Sequence, residues 1–176
     1  WLISCMSPDG PRPIIDMSCP EGSGNSTTSR VMKRILDPLR VPTIRRLNNL
    51  QDFQQQLAQT WALFADNLSG IGAETSDMLA AAVTGDATFR RKLYTDQDAQ
   101  IFAYRSVLCL SGITHTAERP DRLDRDLLIT LQRINKPLDE AIFWANFEAD
   151  LPEILGGGFG VISKAIGLLP DVTIPH

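Results

Sequence analysis

Pro13-Ile14-Ile15-Asp16-Met17-Ser18-Cys19-Pro20-Glu21-Gly22-Ser23-Gly24-Asn25-Ser26-Thr27 passes from a short apolar run into a stretch crowded with glycine and serine. The first six residues suit a buried strand, even with Asp16 among them. Residues 19–27 are too rich in Gly and Ser for regular structure. Val31, Ile35 and Leu36 then recur at helical spacing until Asp37-Pro38, where proline cannot continue a helix. The order is strand, glycine loop, helix.

The same alternation continues outward in both directions. Trp1–Met6 reads as the end of a helix, followed by the dense turn chemistry of Ser7-Pro8-Asp9-Gly10-Pro11. Leu50–Thr60 looks helical, and Trp61–Ala65 is a second buried strand running into Asp66-Asn67. A helix over Thr75–Val83 has a cap candidate in Thr75 or Ser76. Phe89–Tyr94 and Gln100–Tyr104 flank the polar Thr95-Asp96-Gln97-Asp98 as a hairpin. Ser106–Leu110 and Leu127–Leu131 are further buried strands. Leu138–Leu155 and Val161–Leu169 are expected as two helices separated by Gly156-Gly157-Gly158. Apolar strands alternating with helices predict an α/β domain with a mostly parallel sheet covered on both faces.

The loop at 19–26 has the outline of a phosphate-binding turn, G-x-x-x-x-G-K-[ST]. Its glycines let successive N–H groups converge on phosphate oxygens, and the following helix N-terminus favours an anion. A lysine neutralises charge and a Ser or Thr hydroxyl holds Mg²⁺. Here Gly24 is the second glycine and Ser26 the hydroxyl, but Cys19 stands for the first glycine and Asn25 for the lysine. The alternative is a plain Gly/Ser connection. Asn25 donates a hydrogen bond without positive charge, so nucleotide binding through backbone amides is expected to outlast rapid hydrolysis. Arg30, Lys33 or a neighbouring subunit's arginine is where charge would be recovered. A carboxylate ending a neighbouring strand completes such a site. Asp66 has that position, although an apolar strand ending in Asp is common in any sheet.

Taken together, PEGSGNSTTSR (20–30), WALFADNLSGI (61–71), SDMLAAAVTGDATFRRKLYTD (76–96), RSVLCLSGI (105–113), RPDRLDRDLLITL (119–131) and WANFEADLPEIL (144–155) resemble, in order, the ATPase region of phage- or plasmid-associated AAA+ proteins of mobile-element replication. The tail near Leu168–Val172 fits as well. The resemblance implies a three-layer P-loop NTPase core over 1–134 and an incomplete helical region over 135–176. It implies binding of ATP or ADP and Mg²⁺ by Gly22, Ser23, Gly24, Asn25, Ser26 and Thr27, with Ser26 and Asp66 as the metal's protein ligands. Asn67 falls where relatives carry a catalytic glutamate. Ser111 falls at the polar tip of a sensor strand, as a shorter substitute for asparagine. Arg125, with Arg119 as runner-up, falls where an arginine reaches a neighbouring subunit, which requires a ring of identical chains; an ion pair with Asp121 or Asp124 is the other reading of Arg125. The implied function is a helicase-like ATPase with impaired hydrolysis, or else a catalytically dead P-loop module serving DNA-associated assembly.

Composition narrows the classes. A formal net charge of −4 argues against a polycationic nucleic-acid binder, so DNA is expected as a partner only through the parent protein. Arg90-Arg91-Lys92 reads as a solvated basic edge, because the neighbouring hairpin tip is acidic. Cys5, Cys19 and Cys109 form no CxxC pair, and reduced thiols in a cytoplasm are the expectation. With two histidines, a His-based metal site or hydrolytic triad has little material. No apolar run was expected to reach the roughly 18 residues of a membrane span. Trp61, Phe64, Trp144 and Phe147 sit at core spacing.

Overall fold

The computed structural model describes residues 1–7, 12–38, 56–57, 59–68, 70–84, 87–91, 99–103, 106–117 and 120–168. Most of the expected 50–60 helix and the 92–98 hairpin tip lie outside them, as does Arg119. The chain divides into two compact units, Asp9–Ile134 on one side and Trp1–Pro8 with Asn135–His176 on the other. The first eight residues, expected with the sheet, thus group with the C-terminal helix.

In the larger unit the described strands β1 (Ile14–Ser18), β2 (Ala62–Leu68), β5 (Val107–Gly112) and β6 (Asp126–Thr130) form one parallel sheet in the order β2-β5-β1-β6. Strands β3 (Ala87–Arg91) and β4 (Ala99–Ala103) pair antiparallel, as the expected hairpin does, with Phe89 opposite Ile101. Helix α2 (Asn25–Leu36) follows β1, α3 (Ala73–Thr84) follows β2, and the single turn α4 (Pro120–Leu123) precedes β6.

Side chains alternate across a strand, so each strand serves two faces. Ile14, Leu63, Ala65, Leu108 and Leu110 form one face and pack with Met78, Leu79, Ala82 and Val83 of α3. Leu79 and Leu108 are fully buried, each contributing about 1.5–3 kcal/mol of hydrophobic stabilisation. The opposite face carries Phe64 and Cys109, paired in register, and Ser29 of α2 hydrogen-bonds toward Cys109. That face receives α2. At the far end of α2 a buried ion pair ties helix to sheet. Lys33 Nζ lies 2.7 Å from Asp37 Oδ2 and donates to the Ala62 carbonyl at 2.7 Å, while the Ala62 N–H donates to Asp37 at 3.1 Å. Lys33 is therefore committed to structure and is no substitute for the missing loop lysine.

Three local expectations are corrected. Strand β2 runs on through Asp66 and Asn67 to Leu68, beyond the expected end at Ala65. Helix α3 starts at Ala73, so Thr75 and Ser76 lie inside it, and the Ser76 N–H donates to the Gly72 carbonyl at 2.9 Å. The triple glycine does not divide the C-terminal region; α5 is one helix, Glu140–Leu168.

In the smaller unit Asp139 caps α5, its Oδ1 accepting from the N–H groups of Ala141 (2.9 Å) and Ile142 (3.2 Å). Gly158 admits the Met6 side chain, whose Sδ lies 3.4 Å from the position a Cβ would take. Helix α1 (Leu2–Cys5) precedes that methionine. Phe143, Trp144 and Phe147 form an aromatic cluster, with Phe143 and Phe147 each edge-on to Trp144 at 5.5 Å. Of the four aromatic residues expected in a core, Phe64 and Phe147 are buried; Trp61 and Trp144 are half-buried. By length and composition α5 is long and apolar enough to cross a membrane. This corrects the expectation that no such run exists.

Candidate functional site

The glycine loop leaves β1 at the carboxyl edge of the parallel sheet. From β1 the chain passes beyond β5 to β2, whereas from β5 it crosses β1 to reach β6. The two connections diverge at the carboxyl ends of β1 and β5, which is where open α/β sheets form a ligand crevice.

Local geometry shapes the loop. Gly22 (φ +76°) and Gly24 (φ +74°) both take left-handed backbone, which a side chain would strain. The loop is stitched down by Cys19 N–H to the Gly112 carbonyl (2.8 Å) and Ser23 N–H to the Pro20 carbonyl (3.2 Å). Gly24 then caps α2, its carbonyl accepting from Thr28 N–H at 2.8 Å, and Thr27 lies in the first helical turn. Burial pushes the Cys19 thiol above its ordinary range, offset in part by the Ser23 hydroxyl beside it. Cys109 is driven up much further, again by burial. Both are packing residues held as neutral thiols.

Asp66 is the centre of the arrangement. It shares the α2 face of the sheet with Phe64, two residues earlier, and Ser111 shares it with Cys109. Its Oδ2 accepts from Ser26 Oγ at 2.7 Å. Its Oδ1 accepts from Asn25 Nδ2 (3.0 Å), Ser111 Oγ (2.6 Å) and the Asn67 N–H (2.8 Å). Four of the residues singled out in sequence thus converge on one buried carboxylate. A bulge makes this possible. Ala65 pairs with Leu110, but Leu68 pairs with Gly112, so β2 holds one residue more than β5. Asn67 absorbs the extra residue at φ +59°. Such bulges re-aim side chains beside functional sites. Gly112 is required there, since a Cβ would press into the Leu68 carbonyl and lie 3.0 Å from the Thr114 carbonyl.

The geometry bears on two of the expected roles, and leaves the trans role expected of Arg125 untouched. Ser111 is fully buried and spends its hydroxyl on Asp66, so it holds the carboxylate instead of presenting a polar tip to the crevice. Arg125 lies at the other edge of the sheet: its carbonyl accepts from Ile14 N–H, at the start of β1. Five residues of strand, roughly 16 Å, separate that edge from the loop, so Arg125 does not serve the site of its own chain.

Sequence reading missed a second polar centre. Asp16 is completely buried, its Oδ2 accepting from Thr116 N–H (2.7 Å), Thr116 Oγ1 (2.8 Å) and Ala117 N–H (2.8 Å). Its Oδ1 faces His115 Nδ1 at 3.5 Å, and His115 Nε2 lies 3.3 Å from Thr130 Oγ1. Asp16 thereby pins the segment after β5 against β1. Arg122, also fully buried, forks onto Asp126 at 3.0 and 2.5 Å. Burial pushes the Asp126 carboxyl up, and Arg122 holds it partly down. The only sequence signal for Asp16 was a charged residue inside an apolar run; Arg122 and Asp126 lie in the charged stretch 119–126, where nothing singles them out.

As a metal site, Ser26 and Asp66 offer one hydroxyl and one carboxylate 2.7 Å apart. Among the described residues there is no group of three or more His, Cys, Asp or Glu able to hold a metal. That donor set is too small for a protein-only cage. It suits Mg²⁺, which keeps water and takes substrate phosphates with one or two carboxylates.

A family model, the actinomycete integrative conjugative element replication protein, matches residues 1–168. The chain belongs to this family. The expected kinship with mobile-element replication proteins therefore holds, on an integrative conjugative element in place of a phage or plasmid. No curated protein matches the sequence. Among solved structures, this replication protein is similar to a JCV helicase bound to a thiazolopyridine acetamide, with a TM-score of 0.49 and 12% identity. The match covers 94% of this chain and 44% of the helicase, so the chain spans less than half of that protein. A likeness at this level carries no functional weight.

Proposed function

We propose that the larger unit is a three-layer P-loop NTPase core of the AAA+ kind that binds ATP or ADP with Mg²⁺ and turns it over slowly. One observation carries the reading: Ser26 Oγ and Asp66 Oδ2 meet at 2.7 Å at the N-terminus of α2, beneath a loop with two left-handed glycines. In this reading the N–H groups of residues 22–27 cradle the phosphates, favoured by the helix dipole. Ser26 and Asp66 hold the metal, which when bound supplies charge neutralisation between phosphate oxygens. Ser111 and the Asn67 N–H keep Asp66 oriented. Slow turnover follows from Asn25, since a neutral amide in place of lysine forfeits transition-state stabilisation worth roughly 3 kcal/mol.

The same substitution supports a second reading, a P-loop module that binds nucleotide without hydrolysing it and serves assembly. In either case the unit acts within a mobile-element replication protein, on DNA and as a ring of copies.

Thermal unfolding with and without MgATP tests the reading. The wild-type chain is expected to gain stability with MgATP, and Asp66→Ala to lose that gain. Phosphate release that Asp66→Ala abolishes selects the enzyme, and its absence selects the module. A wild-type chain indifferent to millimolar MgATP would sink both.

A further inference from the structure

Resting on that nucleotide reading, we propose that Arg133 supplies the cation the loop lost at position 25, reaching the polyphosphate from the segment after β6.

The backbone puts Arg133 there. The Leu131 N–H donates to the Ser18 carbonyl at 2.9 Å, and the Ile134 N–H donates to the Gly22 carbonyl at 3.0 Å. These two bonds clamp residues 131–134 along the end of β1 and over the loop, with Arg133 between the anchors. Its Nε lies 3.6 Å and its Cγ 3.7 Å from where a Cβ on Gly22 would stand. Ile134 Cδ1 approaches the Cβ position of Gly24 to 3.0 Å. Gly24 is thus tight for space as well as left-handed, whereas a Cβ at Gly22 would meet Arg133 only at ordinary contact distance. The side chain of Arg133 is exposed, and among the described residues no ion pair engages it.

The loop also holds an unspent polar group. Ser23 is buried, and its hydroxyl lies beside the Cys19 thiol, a weak partner, with no hydrogen bond of normal geometry. A buried hydroxyl so weakly satisfied inside a glycine loop is free to turn to a ligand. Two other cations fail on position. Lys33 is locked to Asp37 and the Ala62 carbonyl two turns along the helix, and Arg125 stands at the opposite edge of the sheet. Arginine carries the same positive charge as the lysine the loop lacks, and it is charge that the polyphosphate requires. The recognised chemistry is a chain of phosphates, independent of the base.

The test measures binding of MgATP, tripolyphosphate and adenosine to wild type, Arg133→Gln and Arg133→Lys. Arg133→Gln is expected to weaken MgATP and tripolyphosphate about tenfold, leave adenosine unchanged and flatten the salt dependence. Arg133→Lys is expected to recover most of the loss, and unligated melting temperatures are expected to stay within a degree or two. Wild-type affinity in Arg133→Gln overturns the proposal while leaving the nucleotide reading intact. So does a loss that lysine fails to rescue. A wild-type chain that binds neither phosphate ligand overturns both together.

Discussion

Restoring lysine at position 25 is the sharpest probe of the glycine loop. Asn25 lies in the first turn of α2, half-exposed, with its Nδ2 3.0 Å from Asp66 Oδ1. In Asn25→Lys an ammonium enters the same turn with a longer reach. A hydrogen bond to phosphate from a charged donor is worth about 1.5–3 kcal/mol, against about 1 for a neutral amide, so the gross gain is about 0.5–2 kcal/mol. Against this, the lysine pairs with Asp66 when no ligand is present. At a half-exposed position that resting pair is worth no more than about 1 kcal/mol. The net gain is about 1 kcal/mol, or roughly fivefold tighter binding of MgATP. Titration calorimetry at two salt concentrations reads this directly, with circular dichroism as the control for folding. The lysine variant should bind more tightly and with steeper salt dependence. A folded Asn25→Lys chain with unchanged or weaker affinity at both salts would mean that the loop does not face phosphate.

Two further outcomes concern the scaffold. Gly112→Ala should destabilise the chain by about 1–3 kcal/mol in urea unfolding, because its Cβ meets rigid carbonyls, and it should loosen Asp66 through the bulge; unchanged stability would contradict the close β2–β5 approach. Arg122→Met should cost about 3–5 kcal/mol at neutral pH by stranding the buried Asp126 carboxylate. Asp126 has its native pKa raised by burial, so native chain takes up its proton before unfolded chain does. Stability from this group is therefore full below its ordinary value of 3.8 and falls as pH rises through the raised native value. Removing Arg122 lifts that native value further, so the variant's deficit should shrink between pH 7 and pH 4; an equal deficit at both would refute the pairing.

The sheet was legible because its strands are almost purely apolar runs. Ile14–Ser18, Ala62–Ala65 and Val107–Leu110 are each buried on both faces, so hydrophobicity alone located them. The site was legible where chemistry follows the chain locally, as with Gly22, Gly24 and Ser26. It was illegible where function depends on register. Nothing in Asp66-Asn67-Leu68 announces a bulge, since any residue can be the extra one and asparagine only tolerates its backbone. Arg133 is 108 residues from Asn25 in sequence, and only the β1–β6 pairing brings it to the loop. The glycines of α5 misled because the helix runs straight through them despite their weak helix propensity, and Gly158 lies where the Met6 side chain packs.

The Asp66 carboxylate is fully engaged by its own chain, and this bears on what asparagine at position 25 achieves. Asp66 accepts four hydrogen bonds without any ligand. If Mg²⁺ binds as proposed, Asp66 and Ser26 would hold it together, and their mutual hydrogen bond would be given up. Asn25 has no such second use on the metal, so its bond to Oδ1 persists only if it does not turn to phosphate. A neutral amide gives up this bond at less cost than an ammonium would give up an ion pair. Under the nucleotide proposal, asparagine would therefore make this arrangement easier to open while lowering affinity for phosphate, and Arg133 would supply the charge that the loop lacks.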